Sequence, residues 1–367
     1  MSDIQYMKRA LELAKKGMGH VNPNPLVGAV IVKEGEVIGE GYHQVYGGPH
    51  AEINALKSLT TSPIGATLYV TLEPCFHEGK TPPCVDAVIK AGFSRVVIAS
   101  LDPNPLVAGR SLLKMKEAGI EVEVGLLKEA CDALNAVFFH YIMHQMPYVV
   151  MKYAMTADGK IATHTGASRW ITGEEARKKV HEDRHQYTGI MVGVGTVIAD
   201  DPLLDCRIEG GKNPIRIICD TTLKTPMHSR LIKTAKNIPT VLVTASTEAV
   251  KRQPYIEAGC QLMTVPLQSG QLDLKVAMKL LAAKGIDSIL LEGGAMLNAS
   301  ALEAGVINKV QTYLAPKLFG GVLAPSPIGG TGVDHPDQAY LLKNRKITTL
   351  GEDILIESEV IKCSQAL

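Results

Sequence analysis

The sequence predicts an α/β protein of two domains. Helix-like and strand-like segments alternate along residues 4–141, a pattern typical of a sheet covered by helices. The alternation restarts after Met146 and Pro147, because proline interrupts helix continuation and a strand-rich segment begins at Tyr148. A length of 367 residues also favours two or three domains over one. We therefore expect one domain over residues 1–145 and another over residues 146–367.

The first domain is predicted to begin with a helix over residues 4–16 that ends at Gly17. Strands at 27–33 and 37–43 follow as a hairpin, with a turn at Glu34 and Gly35. Further helices are expected at 51–59, 84–91, 111–118 and 128–141. Strands at 67–71, 95–100 and 121–124 are expected between them.

The second domain is predicted to be richer in strands. Six apolar runs have the length and β-branched content of buried strands, and a helical segment starts at Met296. The runs lie at 148–154, 190–194, 215–220, 240–244, 286–291 and 310–314. The stretch from Gly193 to Ile198 begins like a dinucleotide-binding G-x-G-x-x-G motif, but Ile198 replaces its third glycine.

Composition excludes several classes of protein. Hydrophobic residues make up 46% and charged residues 20%, which is ordinary for a globular protein and unlike a disordered one. The formal net charge is +1 without a basic cluster, so nucleic acid is not expected as a partner. No apolar run reaches the roughly 18 residues of a membrane helix, and no membrane partner is expected. The amino-terminal segment lacks a signal-peptide core, which predicts a cytoplasmic protein.

Two short motifs of the first domain indicate a metal centre. His50 and Glu52 form an H-x-E pair, Cys75 follows a proline, and Cys84 comes nine positions later. This order resembles the signature of zinc-dependent deaminases. One imidazole and two thiolates would leave the fourth tetrahedral position of Zn²⁺ open for water, and Glu52 would be the catalytic residue that moves its protons. If His77 were a fourth ligand, the site would be structural and Glu52 idle.

Further motifs carry a resemblance that runs through both halves of the chain. The sequence resembles the bacterial family of bifunctional riboflavin-pathway deaminase–reductases, whose first domain belongs to the cytidine-deaminase-like superfamily. The matching segments are NPNPLVG (22–28), PHAE (49–52), TLEPCFHEGKTPPC (71–84), DPNPLVAGR (102–110), ADGKIAT (157–163), SRWIT (168–172), VGVGTVIADDPLL (192–204) and LEGGAMLNASAL (291–302). The resemblance implies a three-layer α/β/α deaminase domain and a dihydrofolate-reductase-like α/β domain.

The resemblance also implies two consecutive reactions on one small phosphorylated pyrimidine. The first is zinc-dependent hydrolytic deamination of 2,5-diamino-6-ribosylamino-4(3H)-pyrimidinone 5′-phosphate. The second is NADPH-dependent reduction of the ribosyl group, giving 5-amino-6-(5-phosphoribitylamino)uracil. The implied cofactors are Zn²⁺ and NADPH, and analogy with the family also allows a homo-oligomer.

The family motifs imply a set of binding residues. In the deaminase domain, the substrate contacts implied are Asn24, His43, Lys80 and Asn104. Asn24 and Asn104 equally suit turns beside proline. The NADPH contacts implied are Ala154, Trp170, Thr196, Asp200, Thr221, Gly294, Ala295, Met296, Leu297, Asn298, Ala299 and Ser300. The substrate contacts implied for the reductase domain are Lys152, Ser168, Arg184, Leu204, Arg207 and Glu292.

Several roles stay open at this point. Arg184 and Arg207 suit phosphate binding, but either could be an ordinary solvated charge. Lys152 and Asp158 are candidates for polarising the sugar, and Trp170 could be a core residue. Two other functions also compete: a zinc deaminase of nucleosides or RNA with an accessory second domain, and a non-catalytic zinc-stabilised binding protein.

Overall fold

The computed structural model describes residues 1–76, 82–104 and 108–361. Within it the chain forms two compact units, with the boundary between Gln145 and Met146. Each unit contains one large sheet, of five strands in the first and nine strands in the second. Among the described residues, no helix is both long and apolar enough to span a bilayer.

The first unit alternates strands and helices as the sequence predicts. Its elements are α1 (Asp3–Lys15), β1 (Gly28–Lys33), β2 (Glu36–Tyr42), α2 (Ala51–Lys57), β3 (Thr67–Leu72), α3 (Cys84–Lys90), β4 (Arg95–Ser100), α4 (Arg110–Glu117), β5 (Glu121–Val124), α5 (Lys128–Leu134) and α6 (Ala136–His144). The strand order is β2-β1-β3-β4-β5. Strand β1 pairs antiparallel with β2 and β3, whereas β3, β4 and β5 are parallel.

Both faces of this sheet are covered by helices. Alternate residues of β1 point to opposite faces, so Ile31 packs in one core and Val30 in the other. The Ile31 core includes buried residues of α2, α3 and α4, and the Val30 core includes residues of α1 and α5. The first unit therefore has the three-layer α/β/α architecture that was predicted for it.

The second unit is a larger sheet with an antiparallel edge. Its elements are β6 (Tyr148–Thr156), α7 (Glu174–Gln186), β7 (Gly189–Gly193), α8 (Val194–Asp200), β8 (Ile215–Cys219), α9 (Arg230–Lys233), β9 (Thr240–Thr244), α10 (Ala249–Glu257), β10 (Gln261–Thr264), β11 (Leu267–Gln268), β12 (Gln271–Leu272), α11 (Leu274–Ala283), β13 (Ser288–Leu291), α12 (Ala295–Glu303), β14 (Lys309–Ala315), β15 (Leu341–Leu350) and β16 (Asp353–Ile361). The nine-stranded order is β10-β9-β8-β7-β13-β6-β14-β16-β15.

The strands from β10 to β14 in this order are parallel, and β16 and β15 add an antiparallel hairpin at one edge. Helices α11 and α12 pack on one face, whereas α8, α9 and α10 pack on the other. Because the carboxyl ends of β8, β7, β13 and β6 lie side by side, the segments that follow these strands meet at one edge of the sheet.

Several elements differ from the sequence prediction, and two of the differences have a plain physical reason. The helix predicted over residues 128–141 is two helices, α5 and α6, because the chain breaks at Asn135. The Asn135 side chain accepts a hydrogen bond from Leu26 N (2.8 Å) and donates one to Leu26 O (2.9 Å). A short amide that binds backbone in this way competes with helix continuation. The β15–β16 hairpin was not predicted, because most β15 side chains are exposed and show no apolar alternation.

Helix α2 lies directly on β2, so Gly41 tolerates no side chain. A Cβ atom at Gly41 would lie 2.2 Å from Ala55 N and 2.5 Å from Ala51 O. We expect Gly41→Ala to lower the free energy of unfolding by about 1–3 kcal/mol, because the α2 backbone must move to relieve overpacking. Chemical denaturation of the full chain measures the effect.

Val37→Ala on the same strand is the matched control, because Val37 is 38% exposed. It should change the free energy of unfolding by no more than about 0.5 kcal/mol. Equal stability of Gly41→Ala and the parent protein would contradict the close helix–strand contact.

Candidate functional site

Three ligand-type side chains of the first unit converge on one point. Ligand atoms of His50, Cys75 and Cys84 all lie within 4.8 Å of one another. Nδ1 of His50 is 3.5 Å from Sγ of Cys75 and 3.3 Å from Sγ of Cys84. Zinc ligands at 2.0–2.3 Å from a tetrahedral centre are about 3.5 Å apart, so the distances and the N/S chemistry both fit Zn²⁺.

Local structure explains why these three residues meet. His50 is the residue before the first turn of α2, and Cys84 is the first residue of α3. Cys75 follows β3, and its Sγ accepts a hydrogen bond from the backbone N–H of Cys84 (3.2 Å). The pKa of Cys75 is lowered to about 4, first by a hydrogen bond from the Cys84 thiol and also by His50. Cys75 is therefore poised as a thiolate, the form that binds metal.

Glu52 is buried beside these ligands without a charge partner. It lies in the first turn of α2, and its Oε2 atom has no hydrogen-bond partner among the described residues. Burial, together with the negative charge of Cys75, raises the pKa of Glu52 to about 7. A carboxyl group with this pKa can both accept and release a proton at neutral pH. Its unsatisfied oxygen also needs a partner, which a water molecule or a substrate would supply.

One of the four predicted substrate contacts of this unit, His43, lies against a metal ligand, and a second, Asn24, is bonded to His43. The rings of His43 and His50 meet edge to face with centroids 5.2 Å apart. His43 also bonds the Asn24 amide (3.1 Å) and the Pro49 carbonyl (3.0 Å), and burial lowers the pKa of His43. Asn104 lies in the segment after β4, where its N–H donates to Asp102 Oδ1 (2.8 Å). Lys80, and His77 as a possible fourth ligand, lie outside the described residues.

Glu73 ties that segment to the metal ligands, a role that the sequence analysis missed. Its Oε2 accepts hydrogen bonds from Asp102 N (3.2 Å) and Gly109 N (3.1 Å), and its Oε1 accepts one from Ser111 Oγ (2.6 Å). Glu73 is buried, and it precedes Cys75 by two residues. The only sequence signal was a carboxylate in an otherwise apolar strand end, a residue type that is buried only when paired.

In the second unit, the predicted NADPH contacts follow neighbouring parallel strands. Thr221 comes after β8, Thr196 and Asp200 lie in α8 after β7, and Gly294 comes after β13. Ala154 lies near the end of β6. The carboxyl edge of a parallel sheet is where ligands of such folds bind. The structure therefore brings these predicted residues to one edge of the sheet.

The amino end of α12 is open to a ligand, but its later residues are not. Gly294 precedes the helix, and a Cβ atom there would lie 3.2 Å from Thr196 Oγ1. Of the predicted stretch, Ala295, Met296 and Leu297 retain exposed surface, whereas Asn298 and Ala299 are buried. The Ser300 hydroxyl bonds Met296 O (3.0 Å) and the Gln271 side chain. A ligand would thus meet the first turn of α12.

A buried ion cluster lies at the end of β13. Arg184 donates two hydrogen bonds to Glu292 (2.9 and 3.1 Å), and Lys152 Nζ is 3.7 Å from Glu292 Oε2. Burial alone would raise the pKa of Glu292, but the Arg184 and Lys152 charges outweigh it and lower the pKa to about 2. Glu292 is therefore ionised at neutral pH, and its partners hold it in place.

The two predicted phosphate-binding arginines differ in how firmly they are held. The Arg184 side chain is 13% exposed and is engaged by Glu292 and by the Asp205 carbonyl (3.1 Å). The Arg207 side chain is 53% exposed, and its only partner among the hydrogen bonds and ion pairs of the described residues is the nearby Asp205 carboxylate. An exposed pair of this kind contributes little stability, so a phosphate group can replace Asp205 as the partner of Arg207.

The remaining predicted residues are divided between accessible and buried positions. Ser168 Oγ donates to Asp200 Oδ1 (3.2 Å), which joins a predicted substrate residue to a predicted NADPH residue. Trp170 is 63% exposed, with Arg177 stacked over its ring, and is not a core residue. The Leu204 side chain is buried in the core, so a substrate contact there would come from its main chain.

Asp158, a candidate for polarising the sugar, is held by its own loop and by the segment after β14. Its carboxylate accepts hydrogen bonds from the Thr156 hydroxyl and from the N–H groups of Phe319 (3.2 Å) and Gly320 (2.7 Å). These bonds, the one from Thr156 first, lower the pKa of Asp158 to about 2. Of the two candidates, Lys152 is therefore the one able to donate a proton.

Both units match known protein families. Residues 1–100 match the cytidine and deoxycytidylate deaminase zinc-binding region, and residues 147–356 match the RibD C-terminal domain. The chain is 53% identical to the riboflavin biosynthesis protein RibD of Actinobacillus pleuropneumoniae over 98% of this chain and 96% of that protein. It is 41% identical to the protein of the same name from Escherichia coli, over 97% and 99% of the two chains.

Two solved structures superpose on nearly the whole of this chain. Acinetobacter baumannii RibD superposes with a TM-score of 0.88 at 36% identity, covering 98% of this chain and 99% of that one. A Thermotoga maritima diaminohydroxyphosphoribosylaminopyrimidine deaminase/5-amino-6-(5-phosphoribosylamino)uracil reductase superposes with a TM-score of 0.86 at 38% identity, covering 98% of each chain. The predicted α/β class, with a deaminase-like unit followed by a reductase-like unit, is confirmed.

The hydrogen bonds of Glu73 generate a stability prediction. Glu73→Ala leaves the N–H groups of Asp102 and Gly109 without their acceptor, at a cost of about 1–3 kcal/mol for each buried group. Glu73→Gln keeps an acceptor oxygen for both and should lose less. Chemical denaturation of the full chain measures both variants, and equal losses for alanine and glutamine would show that these hydrogen bonds are not the reason for the burial of Glu73.

Proposed function

Since the chain belongs to the RibD family of riboflavin biosynthesis proteins, we propose that residues 1–145 deaminate and residues 146–367 reduce a single small pyrimidine phosphate. The chain is a bifunctional enzyme, with a hydrolase activity and an oxidoreductase activity, and its cofactors are Zn²⁺ and NADPH. The substrate we propose is 2,5-diamino-6-ribosylamino-4(3H)-pyrimidinone 5′-phosphate. The observation that carries the first activity is the buried Glu52 beside a three-donor metal site, with its Oε2 lacking a hydrogen-bond partner among the described residues.

The deaminase unit supplies the metal ligands and the proton carrier. His50, Cys75 and Cys84 would hold Zn²⁺, which when bound lowers the pKa of a coordinated water to about 7. Glu52 accepts a proton from the attacking water and passes it to the adjoining ring nitrogen as the C–O bond forms. It then accepts the second proton from the hydroxyl group now on the ring carbon and passes it to the amine. The C–N bond breaks as that hydroxyl becomes a carbonyl, and ammonia leaves. A carboxyl group with a pKa near 7 suits both transfers.

We assign the substrate of this unit to Asn24, His43, Asn104 and Lys80, as the family motifs imply, and of these His43 contacts the metal ligand His50. Burial keeps His43 uncharged, and its bond to the Pro49 carbonyl makes Nδ1 a donor, so Nε2 accepts from the Asn24 amide. Asn24 is thereby fixed beside the metal ligands in one orientation.

The reductase unit is proposed to bind NADPH at the carboxyl edge of its sheet. The open first turn of α12 after Gly294 offers backbone N–H groups and a positive dipole end to the pyrophosphate. Thr196, Asp200 and Thr221 line the same edge after β7 and β8. NADPH, when bound there, would supply a hydride to C1′ of the open-chain imine of the sugar, and a residue of this unit would supply the proton for the adjoining nitrogen.

Three cations of this unit have different proposed roles. Arg207 binds the 5′-phosphate in place of its exposed partner Asp205, because guanidinium binds phosphate through two hydrogen bonds. Lys152 lies beside the ionised Glu292 and is the proposed proton donor. Arg184 does not need to touch the substrate, because its two bonds hold the Glu292 carboxylate beside Lys152.

The competing functions receive less support. Both units match relatives along almost the whole chain, so the second unit is not an accessory to a nucleoside or RNA deaminase. A non-catalytic zinc protein would leave the unpaired Glu52 oxygen without a purpose. A homo-oligomer and a cytoplasmic location stay predictions. So does the absence of nucleic-acid and membrane partners.

Glu52→Gln tests the deaminase assignment. The amide keeps the shape of the side chain but cannot carry protons, so ammonia release should fall by about 10²–10⁴-fold. The zinc content, measured by atomic emission, should stay at one ion per chain. An ammonia release rate close to that of the parent protein, with zinc retained, would rule out Glu52 as the proton carrier.

Arg207→Ala tests the phosphate assignment. Loss of a charge-assisted hydrogen bond is worth about 1.5–3 kcal/mol, so the KM for the deaminated substrate should rise about tenfold or more. Lys251→Ala, which removes another exposed cation paired with a carboxylate, is the control and should leave the KM unchanged. NADPH oxidation at the nicotinamide absorbance band measures both variants, and an unchanged KM for Arg207→Ala would remove Arg207 from the phosphate site.

A further inference from the structure

The exposed ring of Trp170 is covered on one of its two faces. Trp170 is the only tryptophan of the chain, and it is 63% exposed. The guanidinium carbon of Arg177 lies 4.7 Å from the centroid of its ring. Among the described residues, no other aromatic or cationic group stacks on this ring. Because one face is covered and most of the residue stays exposed, the opposite face is open to a ligand.

Arg177 is held over the ring without the help of a carboxylate. It lies near the start of α7, and its Nη1 donates to Thr172 O (2.7 Å) just before that helix. In the part of the chain that the structure describes, its side chain contacts this carbonyl and the indole ring, and it forms no ion pair. A guanidinium over an aromatic face is attracted by the negative charge of that face. The charge of Arg177 is therefore directed at the Trp170 ring.

The main chain of Trp170 is held independently of Arg177. Lys317 Nζ donates to Trp170 O (3.0 Å) and to the next carbonyl oxygen along the chain (2.7 Å). Two residues before Trp170, Ser168 Oγ donates to Asp200 Oδ1 (3.2 Å). These bonds fix the backbone on both sides of the indole but do not involve the indole itself. The orientation of the ring depends instead on its contact with Arg177.

The same segment joins the two predicted ligands of the reductase unit. Ser168 is predicted to bind the substrate, and Asp200, which accepts its hydrogen bond, is predicted to bind NADPH. A segment with both roles lies where the two ligands meet. Hydride transfer brings them together at the nicotinamide ring, so the nicotinamide is the ring of NADPH expected next to Trp170.

We propose that Arg177 is a positioning residue of the reductase unit, which holds the Trp170 indole so that its open face stacks on the nicotinamide of NADPH. This inference rests on the proposed function and on the predicted contact of Trp170 with NADPH. Aromatic rings stack in offset pairs, and an indole whose orientation is already fixed loses less conformational freedom when it does so. Arg177 itself does not need to touch the cofactor.

The fluorescence of Trp170 tests the stacking directly, because no other tryptophan contributes to it. NADP⁺ is the probe, since its nicotinamide does not absorb tryptophan emission and quenches it only on contact. The comparison ligand is 2′-phospho-ADP-ribose, which lacks the nicotinamide. In the parent protein, saturating NADP⁺ should quench most of the emission, and saturating 2′-phospho-ADP-ribose should quench little of it. Equal quenching by the two ligands, or none by NADP⁺, overturns the inference.

Arg177→Ala tests the positioning role. Without the guanidinium the indole is free to rotate, so saturating NADP⁺ should quench it less than in the parent, and the KM for NADPH should rise about two- to fivefold. The KM for the deaminated substrate should stay within about twofold of the parent, which a general loss of structure would not allow. Lys178→Ala removes the next cation of α7, which is exposed, and is the control. It should match the parent in both measurements.

All three proteins are measured at full length with zinc bound, and thermal unfolding monitors their folds. Parent-like quenching or an unchanged KM for NADPH in Arg177→Ala overturns the inference, and so does an equal rise of both KM values. A parent protein that oxidises no NADPH with the deaminated substrate overturns the proposed function. Because the fluorescence titration uses no pyrimidine, that failure is distinguishable from a failure of the stacking.

Discussion

Burial of the Glu52 carboxyl, with no arginine or lysine paired to it among the described residues, is the constraint on which the first unit depends. In water a carboxylate of this kind would be ionised and inert as an acid at neutral pH, but removal from solvent raises its pKa to about 7. Helix α2, which carries Glu52 in its first turn, packs directly onto Gly41 of β2 through Ala51 and Ala55.

The second unit also contains a buried glutamate, but its pKa is shifted in the opposite direction. Glu292 is also buried, yet its pKa falls to about 2 because Arg184 and Lys152 flank it. Because the charges beside them differ, the two buried glutamates have different chemistry. Glu52 exchanges protons, whereas Glu292 stays charged and orients the cations around it. Burial by itself does not determine the role of a carboxylate, and the charges beside it do.

Local signals in the sequence were enough to predict many elements and the metal ligands. Proline before Cys84, glycine at the hairpin turn and the apolar period of β4 act over a few residues, and the corresponding elements were predicted within about two residues. His50 of the H-x-E motif and Cys84, which follows a proline, likewise lie at helix starts, as the sequence predicted. The charged helix α7 and the exposed strand β15 escaped prediction because they carry few apolar residues in a regular pattern.

Long-range hydrogen bonds were not predictable from one sequence. The break at Asn135 depends on Leu26, and Glu73 binds a segment about 30 residues further along the chain. The binding residues of the reductase unit were predicted from the resemblance to a family. The structure then distinguished Arg184, which is engaged by Glu292, from the accessible Arg207.

The central claim, an acid beside a metal with one ligand position left for solvent, is tested most directly by X-ray absorption at the zinc K-edge. The account predicts two sulfur ligands at about 2.3 Å and only two nitrogen or oxygen ligands at about 2.0–2.1 Å, in parent and Glu52→Gln protein alike. One of these two light ligands should exchange when a pyrimidine inhibitor is added. A first shell that contains two imidazoles and does not change with inhibitor would mean a closed structural site, and the hydrolytic activity would then need another explanation.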